Sequence, residues 1–450
     1  SCRFDRASSA YLNRTIQSGG DLDKWTLSFW MKLTASAGFG SNQYHLYTSE
    51  DNASGAYDAI LFDVNSSSQV YYQITNKYFT GNHSIRDTSA WYHVVFVFDS
   101  ANGTAAHRKR VWFNNVEDTG SDVQTYPQNV DSQINKNTVH NIGARQDENA
   151  AYFFDGYLAD FIFVDGQAYA PTYFGEEKNG VWIPKDYKTD TGEYGTTGYH
   201  LDFASSGDLG NDISGNNNDW TVHNIVASDQ MKDSPTFDGT SNGGNFCTWN
   251  PLIKAANTQT FSEGNLIAEG QTSDEWSGAL GTFMVTSGKW YFEGCSEENA
   301  VGSGDSNGWC GIGIANSGAI IDGSERTSTD VNFLIDNGWT RGKGGDDDHS
   351  ASAWSADDIL GVAYNADDGQ VSFYINNSLV VTLTGSDVIS GDVVPASLIN
   401  DGGPNNHPIM NFGQDGTFNG RKTAQGNADG NGYGNFFYAP PSGFLAMCAG

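Results

Sequence analysis

Asp358–Val380, DILGVAYNADDGQVSFYINNSLV, decides the fold. A first strand, Ile359 to Tyr364, runs into the turn Asn365-Ala366-Asp367-Asp368-Gly369. In the second strand Val371, Phe373 and Ile375 alternate with Ser372, Tyr374 and Asn376. Alternation at period two places one face in a core and the other in water. The turn ends on Gly because its backbone must reach positive φ, which Gly does without steric cost. Asn376-Asn377 then opens the next reversal.

The same grammar occurs earlier, in Trp91–Val116, WYHVVFVFDSANGTAAHRKRVWFNNV. An apolar strand (Val94, Phe96 and Phe98 against Val95 and Val97) leads through an Asp and the Asn102-Gly103 turn to Val111 and Phe113, and then to Asn114-Asn115. Two copies of one hairpin predict two domains of related architecture. The least structured composition, Gly239–Gly244, is the predicted linker, dividing the chain into domains 1–238 and 245–450.

Outward from these hairpins the chain reads as further short strands. WTLSFWMKL (Trp25–Leu33) alternates strongly. The centre of FFDGYLADFIFVDGQA, from Phe153, is continuously apolar, as expected of a strand covered on both faces. WCGIGIA (Trp309–Ala315) puts Gly at alternate positions, where backbone or a large ring must come close. Thr282–Val285 reads as another strand. Pro171–Tyr187 reads as a packed connector anchored by aromatics, and Gly430–Phe444 as a closing segment. No long stretch has helical period. The fold class is all-β, with two concanavalin-like antiparallel β-sandwich (jelly-roll) domains in tandem.

Composition sets further bounds. With 450 residues each domain can bury a sizeable core. The 54 acidic and 23 basic residues leave a net charge of −31, which repels nucleic acid and anionic lipid, so neither is expected as a partner. No apolar run is long enough to span a bilayer, so membrane insertion is not expected. The chain opens on Ser rather than Met, as a processed or trimmed start would. The spacing of Cys2, Cys247, Cys295, Cys310 and Cys448 matches no zinc motif. Cys295 and Cys310 could face each other on neighbouring strands, but the odd count favours free, buried thiols.

The residues carry two resemblances. The order FDRASSAYLNR, WTLSFWMKL, WYHVVFVFD and IGARQDENAAYFFDGYLADFIFVDG, within residues 1 to about 205, resembles a laminin-G-like or pentraxin-like domain. GKWYFEGC, GWCGIGIA, DDILGVAYNADDGQVSFYINN and IMNFG, within about 285 to 415, resemble a SPRY domain. Joined by VWIPKDY, YGTTGYHLDF and LGNDISGNNNDW and closed by NFFYAPPSGFLA, the whole is similar to tandem structural proteins of marine tailed phages. That resemblance implies a non-enzymatic virion surface protein: a tail fibre, an appendage or a capsid-decoration subunit. It implies other virion proteins as partners, host-surface carbohydrate or protein as ligand, and a symmetric homo-oligomer. Two other readings stay open: a structural cement protein without host recognition, and a secreted bacterial glycan-binding or glycan-cleaving protein.

Catalysis finds little support in the residues. A jelly-roll glycanase needs opposed carboxylates on one strand, and no Glu-x-Asp-x-x-Glu run occurs. There is no Gly-x-Ser-x-Gly elbow, His-Glu-x-x-His helix or phosphate loop. Ca²⁺ takes oxygen ligands from loops, and the resembled laminin-G-like family uses such a site. Its candidates here are Asp147, Glu148 and Asn149 with Asp155, and secondly Asp346, Asp347 and Asp348. At −31 a solvated acidic loop is the plainer account of either. For a sugar, exposed aromatics near Asn and Asp are the expected platforms: Tyr44, Tyr72, Trp309, Trp339 and Trp354. The plainer account is packing at sheet margins.

Overall fold

The computed structural model describes residues 1–450 except 35–42, 52–55, 64–68, 75–76, 86, 121–125, 146–151, 188–192, 236–242, 254–259, 270–275, 297–308, 320–329, 336–337, 344–352, 401–407 and 450. Its contacts divide the chain into two compact units, Ser1–Leu33 with Gly38–Met231, and Lys232–Gly450 with Thr34–Ala37. The division falls at Met231/Lys232, before the Gly-rich stretch expected to be the linker. Most of that stretch lies outside the described residues. Its far end, Gly244, accepts a hydrogen bond from the Ser234 amide, so this described end is tied within the second unit.

Strands of the first unit are β1 (Cys2–Phe4), β2 (Tyr11–Thr15), β3 (Lys24–Leu33), β4 (Gln43–Asp51), β5 (Ala56–Asp63) and β6 (Gln69–Ile74). They continue with β7 (Lys77–Ser84), β8 (Tyr92–Asp99), β9 (Lys109–Phe113), β10 (Val116–Asp118), β11 (Val139–Ile142) and β12 (Gly156–Asp165). Shorter strands follow: β13 (Gly175–Lys178), β14 (Val181–Pro184), β15 (Tyr199–Leu201) and β16 (Thr221–His223). One sheet has the order β1-β12-β3-β8-β9-β10, with β15 also on β12. The opposing sheet has the order β16-β2-β11-β4-β5-β6-β7.

The second unit contains β17 (Asn245–Phe246), β18 (Thr260–Ser262), β19 (Ile267–Glu269), β20 (Trp276–Ser277), β21 (Lys289–Ser296), β22 (Trp309–Asn316), β23 (Val331–Ile335) and β24 (Thr340–Gly342). Next come β25 (Ile359–Asn365), β26 (Gln370–Ile375), β27 (Ser378–Thr384), β28 (Val393–Asn400), β29 (Pro408–Asn411), β30 (Leu445–Ala446) and β31 (Cys448–Ala449). Its sheets run β27-β26-β25-β21-β29 and β20-β28-β22-β23-β24. Among the described residues, pairing between strands is antiparallel except for β30 on β21. The chain is thus all-β, in two antiparallel sandwiches.

The two units trace one circuit. In the first, β3, β8, β9 and β10 are neighbours, and the late strand β12 returns beside β3. In the second, β21, β25, β26 and β27 are neighbours, and the late strand β29 returns beside β21. On the opposing sheets β11 pairs with β2 and β4 as β28 pairs with β20 and β22. On that sheet the first unit has two further strands, β16 at one edge and β7 at the other, which the sequence pattern does not announce.

Both hairpins turn on the same device. Asn114 and Asn115 have φ of 45° and 66°, and Asn376 and Asn377 have φ of 49° and 65°. Positive φ at both central residues gives a two-residue turn whose twist matches the strands. The first Asn then extends the ladder sideways. The Asn114 amide donates to the His93 carbonyl at 2.9 Å, and its Oδ1 accepts the His93 amide at 2.8 Å. The Asn376 amide donates to the Ile359 carbonyl at 2.8 Å, and its Oδ1 accepts the Ile359 amide at 2.9 Å. The hairpins differ at their other ends. Gly369 closes β25–β26 at φ 58°, whereas β8 and β9 are joined through a single 3-10 turn at Ala105–His107.

Alternation builds the cores as expected. Trp25, Leu27, Phe29 and Met31 of β3 point between the sheets of the first unit, against Leu12, Leu46, Tyr47, Ile60 and Ile142. Phe292, Val362, Val371 and Phe373 do the same in the second, against Ile312, Ile314 and Leu334. Burying each such side chain contributes about 1.5–3 kcal/mol. The outer face of the β3 sheet is also buried. Val95, Val97, Trp112, Ile162 and Val164 lie under Phe174, Tyr187 and Tyr194, so the Pro171–Tyr187 connector is a third layer. β12 is therefore covered on both faces. In WCGIGIA, Gly313 is required: a Cβ there would lie 2.0 Å from the Asn332 carbonyl oxygen.

Two local expectations are corrected. Thr282–Val285 forms no regular strand; Val285 makes an isolated bridge to Val393. Cys295 lies on β21 and Cys310 on β22, strands of different sheets, so they are not on neighbouring strands. The five cysteines are free thiols; Cys448 is half-buried and the rest are buried.

Candidate functional site

The first unit carries a polar cavity of about 650 Å³ at the end of β2. Asn13 to Ser18 form one wall, and Thr196, Thr197, Asn217, Asn218, Asp219 and Thr221 form the other. β16 pairs with β2 and sets Thr221 opposite Asn13, which brings together segments far apart in the chain.

The second wall is held rigidly by side chains folding back on backbone. Asp212, buried, accepts the amides of His200 and Ser214 on one oxygen and the Ser214 hydroxyl and Asn218 amide on the other, all at 2.8–2.9 Å. Short polar side chains make such local turns because they reach backbone groups a few residues away. The Asn216 amide group donates to the Gly195 and Gly198 carbonyls at 2.7 and 2.9 Å. That of Asn218 donates to the Thr196 and Gly198 carbonyls at 3.1 and 2.8 Å. Gly210 allows the loop to close on itself, since a Cβ there would lie 1.9 Å from the Trp220 carbonyl oxygen. Deeper, Thr197 donates its hydroxyl to Asn135, whose amide group donates to Asp165 at 2.7 Å.

Arg14 joins the two walls. Its guanidinium donates to the Thr197 carbonyl at 3.4 Å and to Asn218 Oδ1. The lining combines hydroxyls, amides, one guanidinium and the Asp219 carboxylate, with Ile16 its one apolar side chain. Such groups donate and accept hydrogen bonds in fixed directions. They suit a ligand rich in hydroxyls and provide no nucleophile with an adjacent base.

One Ser–His contact elsewhere in this unit resembles a catalytic pair. Ser28 Oγ lies 2.8 Å from His93 Nε2, and both residues are buried. The Trp182 indole N–H donates to His93 Nδ1 at 2.9 Å. An indole only donates, so Nδ1 carries the lone pair, and Nε2–H donates to Ser28. Burial also pulls the imidazole pKa down to about 3. His93 therefore cannot take the Ser28 proton, and the contact is structural.

The residues singled out from the sequence fall elsewhere. Tyr44 is 6% exposed and Trp354 3%, and both belong to the cores, correcting the exposure expected of them. Trp339 is at the surface, 36% exposed, with the Arg341 guanidinium 5.7 Å from its ring. Tyr72 lies in β6 and Trp309 opens β22; their side chains lie outside the described residues. So do Asp147, Glu148, Asn149, Asp346, Asp347 and Asp348. Asp155 is described, half-buried just before β12. Among the described residues, no three His, Cys, Asp or Glu side chains converge as metal ligands do. Among the described residues, no aromatic side chain lines the cavity, so aromatic platforms do not mark it in the sequence. Its signal was the run of short amides and carboxylates in GDLGNDISGNNNDW together with Asn13-Arg14-Thr15.

Residues 7–168 match the Laminin_G_3 family, described as the concanavalin A-like lectin/glucanases superfamily. The match covers β2 and most of the first sandwich. A lectin-type domain points to binding of carbohydrate or protein. No curated protein matches the chain. Among solved structures, the SPRY domain of human HERC1 is similar at 16% identity and a TM-score of 0.31, over 36% of this chain and 96% of that one. A heptameric SAP-like pentraxin from Limulus polyphemus is similar at 16% identity and 0.27, over 36% and 71%. Stonustoxin is similar at 17% identity and 0.26, over 34% of this chain and 26% of that one. At these scores they are partial likenesses and no more.

Proposed function

We propose that the chain is a non-enzymatic binding protein that holds saccharide in the polar cavity of its first sandwich. The observation that carries this reading is the cavity wall itself. Asn, Thr, Asp and Arg side chains line a preformed groove whose loop is tied down by Asp212, Asn216 and Asn218. Preorganised polar groups lose little entropy when a ligand arrives. Recognition on loops held by a rigid sandwich is a common arrangement, and the lectin-type match covers one wall of the groove.

The setting we propose is a virion surface, as a tail fibre, appendage or capsid-decoration subunit assembled as a homo-oligomer with other virion proteins. That setting rests on the sequence resemblance alone. A Ca²⁺ site at Asp147, Glu148, Asn149 and Asp155 is part of the same proposal. A glycan array probed with the intact chain, with Ca²⁺ and with chelator, tests it beside the variant Thr15→Trp, which fills the groove from an exposed strand position. Selective binding lost in the variant supports the groove. A blank array contradicts it and favours a cement role. Binding that persists in chelator removes Ca²⁺ from the proposal.

A further inference from the structure

We infer that the ligand of this groove carries an anionic group, a carboxylate or sulfate on a hydroxyl-rich saccharide, and that Arg14 engages it. The inference rests on the saccharide reading above and sharpens it.

Arg14 is half-buried, and among the described residues it bonds only neutral acceptors, the Thr197 carbonyl and Asn218 Oδ1. Three other described guanidinium groups sit on carboxylates, and those of Arg6, Arg145 and Arg341 lie over aromatic rings. Arg3 pairs with Asp229 at 2.8 Å, Arg110 with Glu117 at 2.6 Å and Arg421 with Asp357 at 2.8 Å. Arg108 also ends on carbonyls, but it lines no described cavity. Among these, Arg14 is the arginine that lines a polar groove and bonds no carboxylate there among the described residues.

The two bonds Arg14 makes fix the plane of the guanidinium and use two of its five N–H groups. The remaining donors can meet two oxygens of a carboxylate or sulfate in the paired geometry that guanidinium favours. Buried aromatic rings lie beneath: Tyr47 and Tyr199 are fully buried and close enough to feel the Arg14 charge. A charge over such a floor is screened less than one on an open surface.

Asp219 limits the ligand further. One of its oxygens accepts the Asp212 amide at 2.9 Å. A carboxylate in the lining accepts sugar hydroxyls and repels a second anion beside the first. The net charge of −31 likewise disfavours a dense polyanion. Both point to a saccharide with sparse charge, one anionic group among several hydroxyls.

The test is calorimetric titration of the intact chain with four probes of equal length: a uronate-containing oligosaccharide, its carboxyl-reduced counterpart, a singly sulfated neutral oligosaccharide and the unsulfated parent. The expected result is binding about tenfold or more tighter for a charged probe than for its uncharged counterpart. Which charged probe wins distinguishes carboxylate from sulfate. Arg14→Gln should bring charged and uncharged probes to equal affinity; Arg14→Lys should keep part of the preference. Equal affinity for charged and uncharged probes overturns the inference and leaves the saccharide reading standing. So does a preference that survives Arg14→Gln. No binding of any probe overturns both. The carboxyl-reduced comparison needs no protein variant, so it decides the matter even if Arg14→Gln fails to fold.

Discussion

The two sandwiches run one circuit and pin their outer layers from the same position with different chemistry. His93 and Ile359 are equivalent, since each pairs with the first Asn of its turn. Across the ladder lie Trp30 and Cys295, and two residues back are Ser28 and Glu293, both buried on the outer face. Ser28 belongs to a neutral chain, with His93 and Trp182, that fastens the β13–β14 hairpin. Glu293 fastens the closing segment: it accepts the Phe437 and Tyr438 amides at 2.8 and 2.9 Å, the Tyr291 hydroxyl at 3.0 Å and the Asn411 amide group at 3.4 Å. Gly361 faces it, where a Cβ would lie 2.9 Å from the Tyr291 oxygen. The position is thus a requirement of the architecture, which must fasten a cover to the hairpin sheet. The group that fills it is free to vary if its donors and acceptors are matched.

The difference predicts opposite responses to pH, the largest effect expected. Burial lowers the pKa of His45 and His93 to about 3 and of His140 to about 4. His140 Nε2 accepts the Asn135 amide and His93 Nδ1 accepts the Trp182 indole, so both rings must stay neutral. Their folded values lie below the unfolded value near 6.5, so their contribution is present above about pH 6.5 and lost as pH falls toward those values. Three such groups cost on the order of 4 kcal/mol per pH unit in the first sandwich at mid-range. Burial raises Glu293 to about 7. Its contribution has the other sign: present below the ordinary carboxylate range and lost as pH rises through about 7. Hydrogen exchange of β8 and β25 amides between pH 4.5 and 8 reads both. Parallel pH profiles would break the contrast.

Core truncations come next. Trp25→Ala and Phe373→Ala remove fully buried side chains from corresponding sheets and should each cost about 3–5 kcal/mol. Exchange should accelerate mainly in the unit that carries the change. Equal acceleration in both would mean the units unfold as one. The smallest effect tests the shared turn. Asn114→Ala and Asn376→Ala each leave a strand amide without its side-chain acceptor and force Ala to positive φ, at about 1–2 kcal/mol. Gly in their place should recover part of the loss by relieving the backbone. Unequal losses at the two turns would sharpen the comparison by showing that neighbouring contacts matter more than the turn.

What was legible in the sequence was local and periodic. Alternation in β3, β8, β25 and β26 gave the core faces, and the two Asn pairs gave turns that the structure builds identically. Gly313 could be read from its neighbours because backbone crowding recurs every second residue in a strand. The groove was not legible in that way. Its walls come from Asn13–Ser18 and from Thr196–Thr221, and the pairing of β16 with β2 brings them together. Pairing partners so far apart leave no periodic trace. Aromatics misled for a related reason: Tyr44 and Trp354 stand beside polar residues in sequence, yet their faces are taken up by the core. Burial of a large ring depends on what the opposite sheet brings. The covers over β3 and β21 read in the sequence as a packed connector and a closing segment, but their polar anchors, Ser28 and Glu293, gain meaning only once Trp182 and Tyr438 are placed over them.

The central claim is that binding resides in the groove of the first sandwich. Hydrogen exchange of the intact chain, with and without a saturating oligosaccharide from the array, tests it most directly. The account predicts slowed exchange in residues 13–18 and 196–221, with β25–β27 unchanged. Protection confined to the second sandwich, or none in either wall of the groove, would contradict it.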